Sequence, residues 1–386
     1  MTQQLFNRLS DIEQKHIRRM EDEKRQGKPL VAYSSTFVPA ELIRAAGANA
    51  FMICRGGEYA PAEAAVNDTL ECINPLARAS VSYISGMTDG LEAKADLVVT
   101  AFSDSHMSRM SELMEYKGIN VFKIGVPVDW QKKISFDYYL GSLRAMLAKV
   151  GELTGREPDM TLARSYFELS NRLKACMREV KDLRRRDAIP VRFEEIAKLH
   201  RMSFLLNDEE AVRALEDYVA AVKAAPALFD ESEPRLMIIM RAVPAGDYDI
   251  LRIIDDTGCP IVAEVLDECA CVSDSDVALD GDLIENFARS RYTMALPINS
   301  FQPSWRIRFE RIRALIEEYR ISGVVWYQLA HDEIYDMEYS CVSKWLGEMG
   351  VPSVKLETDY DYSPEKLTAK RNQINSFIKR VKKARR

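Results

Sequence analysis

A chain of 386 residues with 47% hydrophobic and 29% charged side chains has the make-up of an ordinary globular protein, and is long enough to predict two domains rather than one core. A net charge of -6 weighs against non-specific nucleic-acid binding as the main role. No run approaches the ~20 apolar residues of a membrane span, and the charged N-terminal stretch has no apolar signal core, so the expectation is a cytoplasmic protein with reduced thiols.

Residues 1–28 read as an amphipathic helix leading into a strand at Leu30–Tyr33. That strand ends in Ser34-Ser35-Thr36, and Pro39 opens a segment of helical spacing closed by Gly47. "NAFMICR" reads as the next strand. "DLVVTAF" (Asp96–Phe102) follows, ending in Ser103-Asp104-Ser105-His106, and "INVFKIGVP" (Ile119–Pro127) reads as another buried strand. Short apolar strands alternating with helices predict parallel pairing. From Phe136 to about Ala225 three stretches carry 3.6-residue periodicity and predict a helical linker or lid, with the "LRRR" run on an exposed face. "PRLMIIMRAV" (Pro234–Val243) restarts the alternation, continued by "CPIVAEVL", "ISGVVWYQLA" and "GVPSVKLETDY". The Lys/Arg-rich end, "KRVKKARR", reads as a solvated tail. The predicted class is α/β: two doubly wound parallel-sheet lobes, 1–135 and 233–386, with a helical insert over 136–232.

Ligands of such sheets sit beyond the carboxyl ends of the strands. Candidate cleft residues are therefore Ser34, Ser35, Thr36, Ser103, Asp104 and His331, with Asp267-Glu268-Cys269, Asp332 and Glu357–Tyr360 at equivalent strand ends. The competing reading is that such hydroxyls and carboxylates cap the next helix. His16 and His200 lie in charged helical stretches and read as surface residues, whereas His106 and His331 sit at strand ends. No dinucleotide, P-loop or nucleophile-elbow pattern occurs. The seven cysteines form no CxxC pair, and Cys269-x-Cys271 does not match a structural zinc site.

The order and spacing of "YSSTFVPAELIRAAGA", "LECINPLARAS", "DLVVTAFSDSHMSRMSEL", "IVAEVLDECACVSDS" and "YQLAHDEIYDMEYSCVSKWLGEMGVPSVKLETDYD" resemble the 2-hydroxyacyl-CoA dehydratase subunits. That family also includes benzoyl-CoA reductase subunits and double-cubane reductases. The resemblance spans nearly the whole chain and implies two flavodoxin-like lobes. It also implies a [4Fe–4S] cluster held by three cysteines in the cleft of one subunit. Carried onto this chain, the three ligand positions fall on Cys72, on Ser103 and at or beside Ala330-His331, so one thiolate of three remains. Thiolates are what chiefly hold cluster irons.

What the resemblance implies about activity is dehydration of an (R)-2-hydroxyacyl-CoA to the 2-enoyl-CoA. One electron placed in the thioester carbonyl gives a ketyl that can expel the 2-hydroxyl and acidify the 3-hydrogen. An ATP-dependent iron–sulfur activator supplies that electron, and the dehydratase pairs two homologous subunits. A chain that keeps the fold and loses two thiolates fits the simplified, β-type partner of a cluster-bearing α-type subunit. The alternatives are a subunit of a benzoyl-CoA reductase-like enzyme and a cluster-free binding or scaffold protein on the same fold.

Overall fold

The computed structural model describes residues 1–66, 72–102, 105–294 and 304–385. Two four-stranded sheets organise it. In the first, β1 (Leu30–Tyr33), β2 (Asn49–Met52), β3 (Leu97–Phe102) and β4 (Val121–Gly125) take the order β2-β1-β3-β4. In the second, β5 (Leu236–Ala242), β6 (Ile261–Glu268), β7 (Gly323–Leu329) and β8 (Ser353–Thr358) take the matching order β6-β5-β7-β8. All six pairings are parallel. The central strands are buried along their whole length, as "LVAY" and "LMIIMRA" require when helices cover both faces. Both orders place the topological switch point between the first and third strands of the lobe, which is where such sheets open a crevice.

The first lobe carries α2 (Ala40–Ala45), α3 (Tyr59–Ala64), α4 (Pro75–Ile84) and α5 (Ser105–Tyr116). The second carries α10 (Asp249–Asp255), α12 (Ser304–Glu318), α13 (Glu333–Glu348) and α14 (Pro364–Ala384), whereas α11 (Leu283–Ala288) returns to the first lobe's core. Between them run α6 (Lys133–Thr154), α7 (Met160–Leu183), α8 (Phe193–Met202) and α9 (Glu209–Lys223). The helix α7 is long enough to serve two cores. Its Ala163 and Phe167 join α6 in the first lobe's core, while Leu173, Met177 and Val180 join the second. The N-terminal helix α1 (Thr2–Arg25) spans both lobes: Met20 near its end packs with Leu30 of β1 and Phe51 of β2. Its Phe6, Leu9 and Ile12 lie in the second lobe's core, beside side chains of α8 and α9.

Five expectations are corrected. His16 and His200 are buried, not on the surface: each faces a partner that an amphipathic pattern does not reveal, His16 the Leu205 carbonyl and His200 the Cys271 amide. In "LRRR", Leu183 and Arg184 are buried, because Arg184 pairs with the buried Glu264 at 2.5 Å. The strand β4 is a sheet edge and only Ile124 on it is fully buried. The basic C-terminal run is not a loose tail but continues α14: its described Lys and Arg side chains are exposed, while Val381 fills the core beneath Gly323. The expected reduced thiols are not all free: Cys54 and Cys269 form a disulfide between the lobes. No described helix is long and apolar enough to cross a membrane.

Candidate functional site: the cleft between the lobes

The carboxyl edges of the two sheets face each other. The loop after β2 bridges to the loop after β5: Arg55 and Ala245 pair in parallel, Ala245 N–H donates to the Cys54 carbonyl at 2.9 Å and Gly56 N–H to the Ala245 carbonyl at 3.0 Å. Gly57 and Gly246, both with positive φ, let these backbones meet, since a Cβ on Gly57 would lie 2.6 Å from the Gly246 oxygen. The Cys54–Cys269 bridge closes the floor, with its Cα atoms 6.0 Å apart.

The three hydroxyls after β1 have separate tasks. Ser34 is buried, and its Oγ accepts from Ala101 N–H at 3.3 Å, which ties β1 to β3. Ser35 is fully buried and donates to Glu268 Oε2 across the cleft at 2.8 Å. Only Thr36 faces a cavity, where its Oγ1 accepts from Arg291 Nε at 2.9 Å. Arg291 lies in a π-turn over Arg289–Met294, a local widening of the helix that often marks functional positions. It was not foreseen from sequence, and "ARSRYTM" holds no signal that separates it from a solvated arginine.

Ser103 and Asp104 lie outside the described residues. Their neighbourhood is nonetheless visible. His106 is buried at the start of α5 and accepts from Asn74 N–H at 3.3 Å, two residues after Cys72. That bond leaves Nε2 as the protonated nitrogen, 3.9 Å from Glu333 Oε2 on the opposite lobe. So Asn74, the start of α5 and the start of α13 approach one another across the cleft. Cys72, two residues before Asn74, is exposed. His331 is exposed with φ of 64°, and Ala330 is buried.

The remaining strand-end acids are tied into the second lobe. Asp332 caps α13 through Tyr335 N–H and takes a two-pronged contact from Arg241. Asp267 accepts from Arg308 at 2.6 Å and from Tyr335 at 2.7 Å. Asp247 has no cation against it: Tyr327 and Tyr362 both donate to its carboxylate, and burial pushes it up to about 6. Asp359 pairs with Lys366 at 2.7 Å, and the Tyr360 hydroxyl is packed against Gly56. Arg241 could have been anticipated, since one arginine ends an otherwise apolar strand and must find a partner.

The donor set does not fit a [4Fe–4S] cluster. Of the three positions that the resemblance assigns as ligands, Cys72 offers one thiolate, Ala330 offers no donor, and a serine hydroxyl, as at position 103, is a poor iron ligand. Cys54 and Cys269 are bonded to each other, and burial raises the Cys271 thiol out of the reactive range. No group of three or more His, Cys, Asp or Glu side chains suited to a metal occurs among the described residues.

Two doubly wound lobes whose strand ends meet over a shared cleft define a bilobal α/β protein, and ligands of such sheets sit beyond the strand ends. The chain belongs to the 2-hydroxyglutaryl-CoA dehydratase D-component family (HGD-D), whose profile matches residues 35–380. It is 24% identical over 366 residues to YjiM of Escherichia coli (strain K12), provisionally named a dehydratase subunit, covering 93% of this chain and 94% of that one. It is 25% identical over 272 residues to one of the benzoyl-CoA reductase subunits of Thauera aromatica, covering 68% of this chain and 67% of that one. A solved periplasmic metal-binding protein from Candidatus Liberibacter asiaticus aligns over 92% of this chain and all of that one at 12% identity, but its TM-score of 0.23 is too low to indicate a shared fold.

Proposed function

We propose that this chain is the β-type partner subunit of an ATP-activated dehydratase that converts (R)-2-hydroxyacyl-CoA to 2-enoyl-CoA, with the electron-handling [4Fe–4S] cluster in a homologous α-type subunit. The observation that carries this reading is that His106 joins Asn74, two residues from Cys72, to Glu333, three residues from Ala330, while Cys72 is the one cysteine among the three ligand positions that the resemblance assigns. The family description names a component, and both relatives above are named as subunits, which supports a role inside an assembly. The role assigned to this chain is to complete the cleft of its partner and to help dock the acyl-CoA or the activator.

The test is anaerobic co-purification from the native host, followed by iron and sulfide analysis. The expected result is recovery of a homologous subunit with all three cysteines, and less than one cubane per chain when this chain is purified by itself. Recovery without any iron–sulfur companion sinks the reading. The likeness to the benzoyl-CoA reductase of Thauera aromatica favours a second reading, a subunit of a low-potential ring reductase. Assay of the recovered complex separates the two, since one consumes a 2-hydroxyacyl thioester and the other an aromatic thioester.

A further inference from the structure

We infer that a cavity on the flank of the cleft, built around Arg291, binds the carboxylate of a short aliphatic acid. The cavity, about 90 Å³, lies where α7 passes from one core to the other, between the β1–α2 turn, the loop after β6 and α11. Arg291 is only 5% exposed. Its Nε is used by Thr36, and its guanidinium lies over the Phe37 ring, 3.7 Å from the centroid. Its two Nη nitrogens have no hydrogen-bond partner among the described residues, and they belong to a side chain that lines the cavity. A buried guanidinium with an open fork is costly unless an anion meets it.

Two further cations face the same space. Arg44 stacks over Tyr166, and its buried Nε and Nη1 also lack partners. Lys174 lies at the half-buried rim, where its Nζ reaches the Ser275 carbonyl at 3.2 Å. Against these three basic groups the lining holds one acid, Glu41. Glu268 lies outside the cavity lining, and its negative charge, which the Ser35 hydroxyl does not remove, partly balances Arg291 without bonding its Nη nitrogens. The fixed fork matches a planar carboxylate in two parallel hydrogen bonds. The walls beside it are apolar, formed by Leu173, Val277 and Phe287, so the ligand carries a hydrocarbon tail. The small volume excludes a nucleotide or a whole coenzyme A. This site is distinct from the Cys72–His106 end of the cleft and does not depend on the subunit role proposed above.

Calorimetric titration of the full chain with sodium pentanoate tests the assignment, with pentanamide and inorganic phosphate as parallel probes. Pentanoate is expected to bind saturably and at least about 10-fold tighter than the amide, the difference a charge-assisted pair makes. Arg291→Gln is expected to weaken it about 20-fold or more, and Arg291→Lys about 10-fold, because a point charge does not replace the fork. Lys174→Gln, at the half-buried rim, is expected to weaken it about 3-fold. If Arg291→Gln does not fold, Arg291→Lys and Lys174→Gln still read the site. Absence of saturable pentanoate binding overturns the inference, as does equal binding of acid and amide. Phosphate binding tighter than pentanoate overturns the carboxylate assignment.

Discussion

Ser35 Oγ and Glu268 Oε2 meet at 2.8 Å across the cleft, joining residues 233 positions apart and one from each lobe. Both are buried, so the bond is unscreened and fixes the two strand ends against each other. Ser35→Ala removes a hydrogen bond to a charged acceptor and is expected to cost about 1.5–3 kcal/mol in chemical denaturation. Paired with Glu268→Gln in a double-mutant cycle, the two changes are expected to be clearly less than additive. Full additivity would show that the lobes are not coupled through this pair.

The Cys54–Cys269 disulfide lies beside that bond, two residues past the end of β2 and one past the end of β6. Its sequence separation of 215 residues means that breaking it frees a very long loop in the unfolded chain, so reduction is expected to cost roughly 2–5 kcal/mol. Denatured without reductant, the protein is expected to titrate with five thiols, from Cys72, Cys176, Cys259, Cys271 and Cys341. With reductant all seven are expected. Seven thiols in both conditions would mean that the lobes are not covalently linked.

Asp247 makes stability depend on pH in an unusual direction. Burial raises its carboxyl from near 4 unfolded to about 6 folded, with the Tyr327 and Tyr362 hydroxyls only partly offsetting the shift. The folded state therefore holds the proton more tightly than the unfolded one. Its contribution is fully present below about pH 4 and is lost as pH rises through about 6. Asp255, also lifted to about 6 by burial, acts in the same direction. Between about pH 5 and pH 7.5 Asp247 accounts for on the order of 1–2 kcal/mol. Asp247→Asn is expected to flatten the stability–pH curve by that amount. An unchanged slope would mean that Asp247 titrates normally.

Much of the fold was legible because period and punctuation carry it. "LVAY" and "LMIIMRAV" are too apolar and too short for anything but buried parallel strands, and Pro39 and Gly47 bracket α2 as expected. The strand-end rule brought Ser34, Ser35, Thr36 and His331 to attention, and of these Thr36 reaches the cavity. What stayed hidden depends on long-range pairing. A buried Arg184 or Arg291 reads like any solvated arginine until Glu264 or Thr36 is brought to it from across the chain. The same applies to Cys54 and Cys269, whose meeting needs both lobes in place. The placement of the first half of α1 on the second lobe is likewise invisible to an amphipathic pattern, which says that a face is buried and not against what.

The cleft point where Cys72 lies offers a direct test of why this chain has one thiolate. If the site kept its geometry and lost only its ligands, restoring sulfur there restores iron binding. Ser103→Cys with Ala330→Cys gives three cysteines on the three converging segments, alongside His106 and Glu333. Thiolate-rich sites select iron–sulfur clusters over hydroxyl or carbonyl oxygen sites. After anaerobic reconstitution the double variant is expected to bind about one cubane per chain, seen as iron and sulfide content and a broad visible absorption, while the parent chain stays well below that. Either single variant is expected to fall between, because two thiolates hold a cluster weakly. A double variant that folds normally and still takes up no iron would show that the cleft has been remodelled beyond its ligands, and that these three segments no longer describe an ancestral metal site.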